Sequence, residues 1–262
     1  MRAKESKAAR VFKEPKKTLR NLTWYRRRLD LVARAIAQIV REYDASKDPL
    51  EAVKEVQQNL FAYEQTLQAW ALEVAALMIT RVARDDYETW KLAYEESGRE
   101  ISKATRSVLE SQETGSVFYD LQRRQVDLIT SLPHDAAQKV HDWTIDGLDK
   151  GQRPEAIKSR IRAMLPDEIK NRAQLIARTE TARARSNFTE ARARALGSTH
   201  YIWHTVGDAR VRPMHAALNG TVQSWDDPPI TDFDHGMPVK SHPGCVWNCR
   251  CFASPLLPNF EG

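Results

Sequence analysis

Glycine is missing from the first 97 residues and reaches only ten in 262. Because interior glycine costs a helix roughly 1 kcal/mol relative to alanine, its avoidance excludes a turn-rich N-terminal half and points to long helices. Cysteine is scarcer still: Cys245, Cys249 and Cys251 are the whole complement. An odd number in one short stretch excludes a disulfide framework spread through the fold. No run of about eighteen apolar residues exists to span a bilayer. The start, Met1-Arg-Ala-Lys-Glu-Ser-Lys, carries charge with no apolar stretch behind it, so no secretory signal is expected and the protein is expected to be made in a cytosol. His-Glu-x-x-His, Gly-x-Ser-x-Gly and glycine-rich phosphate loops are all absent, and no residue is nominated as catalytic.

Charge is plentiful. Charged residues make up 29% of the chain, mean hydropathy is −0.57 and the formal net charge is +5. The balance is uneven: residues 1–28 hold eleven Lys or Arg against Glu5 and Glu14, a surplus of +9, which leaves −4 for the remainder. Residues 1–21 therefore read as a basic flexible arm, continued by Arg26, Arg27 and Arg28. Such an arm either concentrates near phosphate or an acidic protein surface, or serves as a solubilising tail.

Apolar residues at Leu22, Tyr25, Leu29, Val32, Ile36, Ile39 and Tyr43 keep an alternating three-four spacing, the seam of a helix packed lengthwise on another. Asp48 and Pro49 then restart the chain as a cap and a first helical residue. A second seam follows through Val53, Val56, Leu60, Tyr63, Leu67, Trp70, Val74 and Leu77, with the helix running on towards Gly98. Two seams joined by a short turn predict a long antiparallel helical hairpin. Shorter helices are expected at 99–112, 116–131 and 135–149, separated by Gly115 and Pro133, then at 153–165 before Pro166, and from Asp167 to Gly197. Trp70, Trp90 and Trp143 are assigned to packing. Arg178, Arg185 and Arg192 are spaced by seven and fall near one helix face, as a guanidinium ladder for phosphate or an acidic partner or as a solvated face partly neutralised by Glu180 and Glu190.

Beyond Gly197 the apolar period changes from 3.6 to 2, and Tyr201–Val206 reads as a strand. Proline and glycine then recur too densely for long regular structure. The overall expectation is a mainly α protein with a small loop-rich α+β C-terminal module. A loop-rich segment buries little apolar area against the entropy of ordering it, so it needs a staple. His242, Cys245, Cys249 and Cys251 offer four ligands within ten residues and His215 a fifth, a set suited to one structural zinc ion. The alternative is that buried free thiols simply fill a small core. Asp208 and Gly220 are expected to cap and close a short helix around His215. Arg212 and Arg250 are placed for phosphate contact or for ion pairs with Asp226, Asp227, Asp232 or Asp234.

Four blocks carry a resemblance. Ile176-Ala-Arg-Thr-Glu-Thr181, Tyr201–Thr205 with Trp203, Asp208 to Gly220 through Arg212, His215 and Leu218-Asn219, and Asn248-Cys-Arg-Cys251 followed by Pro255 together resemble the phage head morphogenesis domain of Mu F-like minor head proteins. The likeness covers residues 135–257, with the Cys/His-rich end at 198–257. It leaves the helical domain 22–134, the arm and a tail at 258–262 outside. It implies a minor capsid component of a tailed phage or prophage, associated with the portal inside the head and acting in head morphogenesis and in DNA packaging or delivery. The partners implied are the portal protein, major capsid or scaffold proteins and packaged double-stranded DNA, with no membrane at assembly. The places implied are the virion interior and, during assembly, the host cytoplasm. Glu180, Asp208, Arg212, His215, Gly220, Cys249 and Cys251 match the family pattern as a shared structural or metal core. On this reading the protein is not an enzyme; the alternative is a zinc-dependent hydrolase or nuclease acting on nucleic acid or cell wall, with Glu180, Asp208 or Asp234 as its base.

Overall fold

The computed structural model describes residues 12, 16–96, 106–107 and 113–257. Long helices come first: α1 Lys16–Val40, α2 Pro49–Glu96, α3 Glu113–Asp149 and α4 Pro154–Ala195. A small mixed module follows, made of β1 His200–His204, α5 Pro213–Leu218, β2 Val222–Ser224, β3 Ile230–Asp234, β4 Met237–Lys240 and β5 Phe252–Leu256. The mainly helical architecture with a small α+β end is the one expected. The helix anticipated over 99–112 lies outside the described residues apart from 106 and 107, which are helical, and so do the tail 258–262 and most of the arm.

The hairpin forms as its seams require. Asp48 Oδ1 accepts the Leu50 and Glu51 amides at 3.0 and 3.3 Å, capping α2 at Pro49. Asn21 Nδ2 donates to Asp85 Oδ2 at 2.7 Å and Asn59 Nδ2 donates to Glu42 Oε2 at 3.3 Å, so α1 and α2 run antiparallel. Tyr25, Leu29, Val32, Ile36, Val53, Val56, Leu60 and Leu67 are buried on the seams. The strict heptad fails further along α2, where Leu77 is 45% exposed while Met78, Ile79 and Val82 are buried. A helix keeping 3.6 residues per turn drifts about 20° per heptad, enough to rotate Leu77 out and its neighbours in.

Pro133 and Pro166 were expected to end helices, but each sits inside one, α3 and α4 respectively. The cost of an interior proline, roughly 3 kcal/mol, is outweighed by side chains buried on both sides of it. Ile129, Leu132 and Val140 flank Pro133, and Ile161, Leu165 and Ile169 flank Pro166, all at most 1% exposed. Each such burial is worth about 1.5–3 kcal/mol.

The chain groups into two compact units. One is Thr23–Ala76 with Gln122–Ala177, a bundle of segments from all four long helices. Its interhelical bonds include Tyr25 Oη to Gln125 Oε1 at 2.7 Å, Gln122 Nε2 to the Leu72 carbonyl at 3.2 Å, and an Arg160–Asp146 ion pair at 2.6 Å. Trp143 lies under two cations, Arg160 at 5.2 Å and Lys139 at 5.7 Å.

The other unit is Met1–Leu22, Leu77–Leu121 and Arg178–Gly262. Its sheet has the order β2-β1-β5, all antiparallel, with Trp203 opposite Ala253. β3 and β4 form a separate hairpin. The core joins Trp90 and Tyr94 of α2, Ala193 of α4, Tyr201 and Trp203 of β1, Trp225, Cys249 and Cys251. Gly197, at φ 79°, ends α4 and lets the Ser198 amide reach the Ala193 carbonyl at 2.9 Å, turning the chain into β1.

Within this unit Asp86 is buried and accepts from Thr189 Oγ1 at 2.5 Å and from the buried guanidinium of Arg192. Burial pushes the Asp86 carboxyl above its ordinary pKa, with the Arg192 charge opposing. Removing one member of such a pair strands the other charge away from water. Asp86→Ala is therefore expected to lower unfolding free energy by about 3–5 kcal/mol in urea titrations, and a loss below about 1 kcal/mol would contradict the pairing.

Candidate metal centre

His215 comes from α5, whose register is set by Pro213 at its first turn. Asp208 does not cap that helix: the cap position is Arg212, with no side-chain cap bond. Asp208 instead accepts both guanidinium nitrogens of Arg250 at 2.6 Å and the Arg210 amide at 3.1 Å. A bidentate pair to a residue standing between two cysteines is a stronger use of the carboxylate than a cap, and it clips the chain before α5 to the Cys249–Cys251 segment. The Arg250 guanidinium holds the Asp208 carboxyl well below the usual carboxylate range. Gly220, at φ 78°, donates its amide to the Trp203 carbonyl at 2.8 Å and returns the chain from α5 to β1.

His215, Cys249 and Cys251 are all buried, and their ligand atoms lie within 4.8 Å of one another. His215 Nε2 is 3.1 Å from the Thr231 carbonyl oxygen. A carbonyl only accepts, so Nε2 donates, and the tautomer this bond selects has its lone pair at Nδ1. That Nδ1 stands 3.5 Å from Cys249 Sγ and 3.4 Å from Cys251 Sγ. Tetrahedral zinc with bonds of about 2.3 Å to sulfur and 2.0–2.1 Å to nitrogen would hold such atoms roughly 3.5 Å apart. The group thus fits a metal ion in donor type, tautomer and spacing.

The two thiols are unequal. Cys249 is pulled down to about 4, chiefly because the Cys251 thiol hydrogen-bonds to it. Cys251 is pushed up correspondingly. The Gly244 and Cys251 amides also donate to Cys249 Sγ, each at 3.4 Å. Two adjacent thiols that share a proton beside an imidazole lone pair form an arrangement in which a cation can replace that proton.

Cys245 and His242 do not join the group. Cys245 Sγ points to Asn187 Oδ1 at 3.7 Å, and burial pushes its thiol up to about 11. His242 Nδ1 pairs with the Tyr201 hydroxyl at 3.2 Å while its Nε2 lies 3.6 Å from Glu190, and burial lowers its pKa. The five-residue ligand set expected from spacing therefore reduces to three. The hydroxyl and carboxylate that take up His242 come from distant parts of the chain and could not be read locally.

The remaining candidates scatter. Glu180 is buried against Arg183, whose guanidinium also reaches the Cys245 carbonyl. Arg212 bonds the Trp247 carbonyl at 3.0 Å and approaches Asp232 at 3.8 Å. The arginine ladder does not share one environment. Arg178 is exposed and bonds Asn248 Oδ1 at 2.6 Å, Arg185 bonds the Phe12 carbonyl at 2.8 Å, and Arg192 is buried on Asp86. Arg26, Arg27 and Arg28 lie exposed on α1, with Arg28 over the Trp24 ring at 5.4 Å.

Sequence reasoning missed three supports of the site. Thr231 fixes the His215 tautomer. Thr179 Oγ1 accepts the Asn248 amide at 3.0 Å, holding a left-handed residue (φ 61°) just before Cys249. Gly244, at φ 87°, passes so close to the backbone that a Cβ would stand 3.2 Å from the Ala182 carbonyl. Asparagine and glycine beside the cysteines were the available signal, since both tolerate that conformation.

Residues 138–254 match the family described as Phage Mu protein F like protein. Over that stretch, rather less than half of its length, the chain is similar to this family. That stretch contains His215, Cys249 and Cys251 together with all of the β-module except the end of β5. An uncharacterized protein of Haemophilus influenzae is 27% identical over 97% of this chain and 57% of its own length. An uncharacterized protein of Methanocaldococcus jannaschii is 24% identical over 53% of this chain and 22% of its own. The chain thus spans little more than half of the first relative and under a quarter of the second. No solved structure matches.

If Arg250 is what holds the Asp208 carboxyl low, Arg250→Met should let its pKa rise towards the ordinary value. A carboxyl carbon titration by NMR measures this directly. A carboxyl that stays where it was would show that the Arg210 contacts suffice.

Proposed function

We propose that this protein is a minor head component of a tailed phage or prophage, docked at the portal on the inside of the head and acting in head morphogenesis and DNA packaging or delivery. The observation that carries the reading is the Mu F-like match over the very residues that form the buried His/Cys core. In this reading the core is a staple. His215, Cys249 and Cys251 hold one zinc ion, which supplies binding energy that a loop-rich module lacks. The partner-facing surfaces lie elsewhere. The exposed Arg26, Arg27 and Arg28, with Arg178, make non-specific contact with the packaged duplex, a salt-sensitive term suited to handling any sequence. Among the described residues no helix is long and apolar enough to cross a membrane, in keeping with a place in the head.

A structural rather than hydrolytic role fits the carboxylates. Asp208 is engaged by Arg250 and Arg210, and Glu180 by Arg183, which leaves neither placed as a general base. Asp234 stands exposed on the β3–β4 hairpin.

Three measurements test the proposal. The protein should co-sediment with portal-containing heads, and its absence from purified heads would sink the assignment. Purified protein should contain one zinc per chain, and Cys249→Ser should lose it together with several degrees of Tm. Duplex affinity should fall steeply with salt, and changing Arg26, Arg27 and Arg28 to Gln should flatten the log–log salt dependence by about 2–3. An unchanged slope would remove those arginines from the interface.

A further inference from the structure

The three ligands leave a tetrahedral ion one short. Among the described residues, Cys245 and His242 are the nearest in sequence that could complete the set, and both are engaged elsewhere, by Asn187 and by Tyr201 and Glu190. Beside the cluster lies a cavity of about 20 Å³ whose walls include all three ligands, His215, Cys249 and Cys251. Holding a water takes roughly 10–15 Å³, so this space has room for a solvent-sized molecule beside the three ligands. Arg210, Arg212 and Arg250 line it as well. Arg210 and Arg250 pair with Asp208, and Arg212 approaches Asp232.

Resting on the zinc reading above, we propose that the fourth coordination position is filled from solvent, exchangeably, by water or a small monodentate anion entering this arginine-lined cavity. Zinc sites with three protein ligands characteristically keep the fourth position for such a ligand, whereas a purely structural site closes it with a protein donor. Guanidiniums lining the entry favour an anion over neutral water. The centre is thus a staple with one accessible face, and small anions are its ligand class.

Cobalt(II) in place of zinc makes the coordination visible. The full chain loaded one-to-one with cobalt should show ligand-field bands of a four-coordinate sulfur-nitrogen site that shift saturably on titration with azide. The same spectrum and shift are expected in Cys245→Ser and His242→Ala. Arg210→Gln should weaken azide binding by about threefold, the order of effect of removing one nearby charge screened by water. Cobalt bound one-to-one with no azide shift overturns the exchangeable position, and a spectrum altered in either Cys245→Ser or His242→Ala assigns the fourth ligand to the chain itself. Failure to retain cobalt or zinc at all overturns the zinc reading as well, and is distinguished by metal analysis of the same sample.

Discussion

One hydrogen bond orders the C-terminal module: the bond from His215 Nε2 to the Thr231 carbonyl. It ties α5 to the β3–β4 hairpin, and by fixing the proton on Nε2 it turns the other nitrogen towards both sulfurs. Without it the ring could rotate or change tautomer, and the cluster would lose its only nitrogen donor. The Asp208–Arg250 pair does for the chain path what Thr231 does for the ring. It brings segments forty-two residues apart into register. A segment rich in turns and poor in buried apolar area is held by directional bonds, each restricting a different degree of freedom.

The rest of that unit is held differently. Trp90, Trp203, Trp225 and Tyr201 pack into a dense aromatic core, with Tyr201 and Trp225 ring centroids 4.2 Å apart. The two cysteines close one side of it. Cys249 and Cys251 thus belong both to the apolar core and to the polar cluster, so the two readings drawn from sequence, thiols as core filler and thiols as ligands, are not exclusive. Trp203 stands edge-on to His215 at 5.4 Å, which shields the imidazole from water on that side.

Much of this was legible in the residues. The alternating apolar spacing located the hairpin, and Asp48, Pro49 and Gly197 marked helix ends because capping chemistry is local. Heptad counting failed at Leu77, because a seven-residue step is not two whole turns; the arginines of the ladder differ instead through the partners that distant segments supply, Asn248, Phe12 and Asp86. Pro133 and Pro166 misled because a local penalty was weighed without the burial that offsets it. Spacing within 242–251 could not separate Cys249 and Cys251 from Cys245 and His242. Their fates depend on Asn187, Glu190 and Tyr201, which the chain supplies from more than forty residues away.

The two compact units are not consecutive stretches of chain. One draws only on residues between Thr23 and Ala177, while the other joins the described residues of Met1–Leu22, Leu77–Leu121 and Arg178–Gly262. During synthesis the helical bundle can close first, as soon as α4 has passed residue 177. Asn21 on Asp85 and Phe12 on Trp90 belong to a unit whose remaining parts emerge later. At about 5–20 residues per second, the wait from Arg178 to the last core strand lasts roughly 4–16 s. Phe12 and Asn21 thus belong to a core that is complete only once the last strand has emerged.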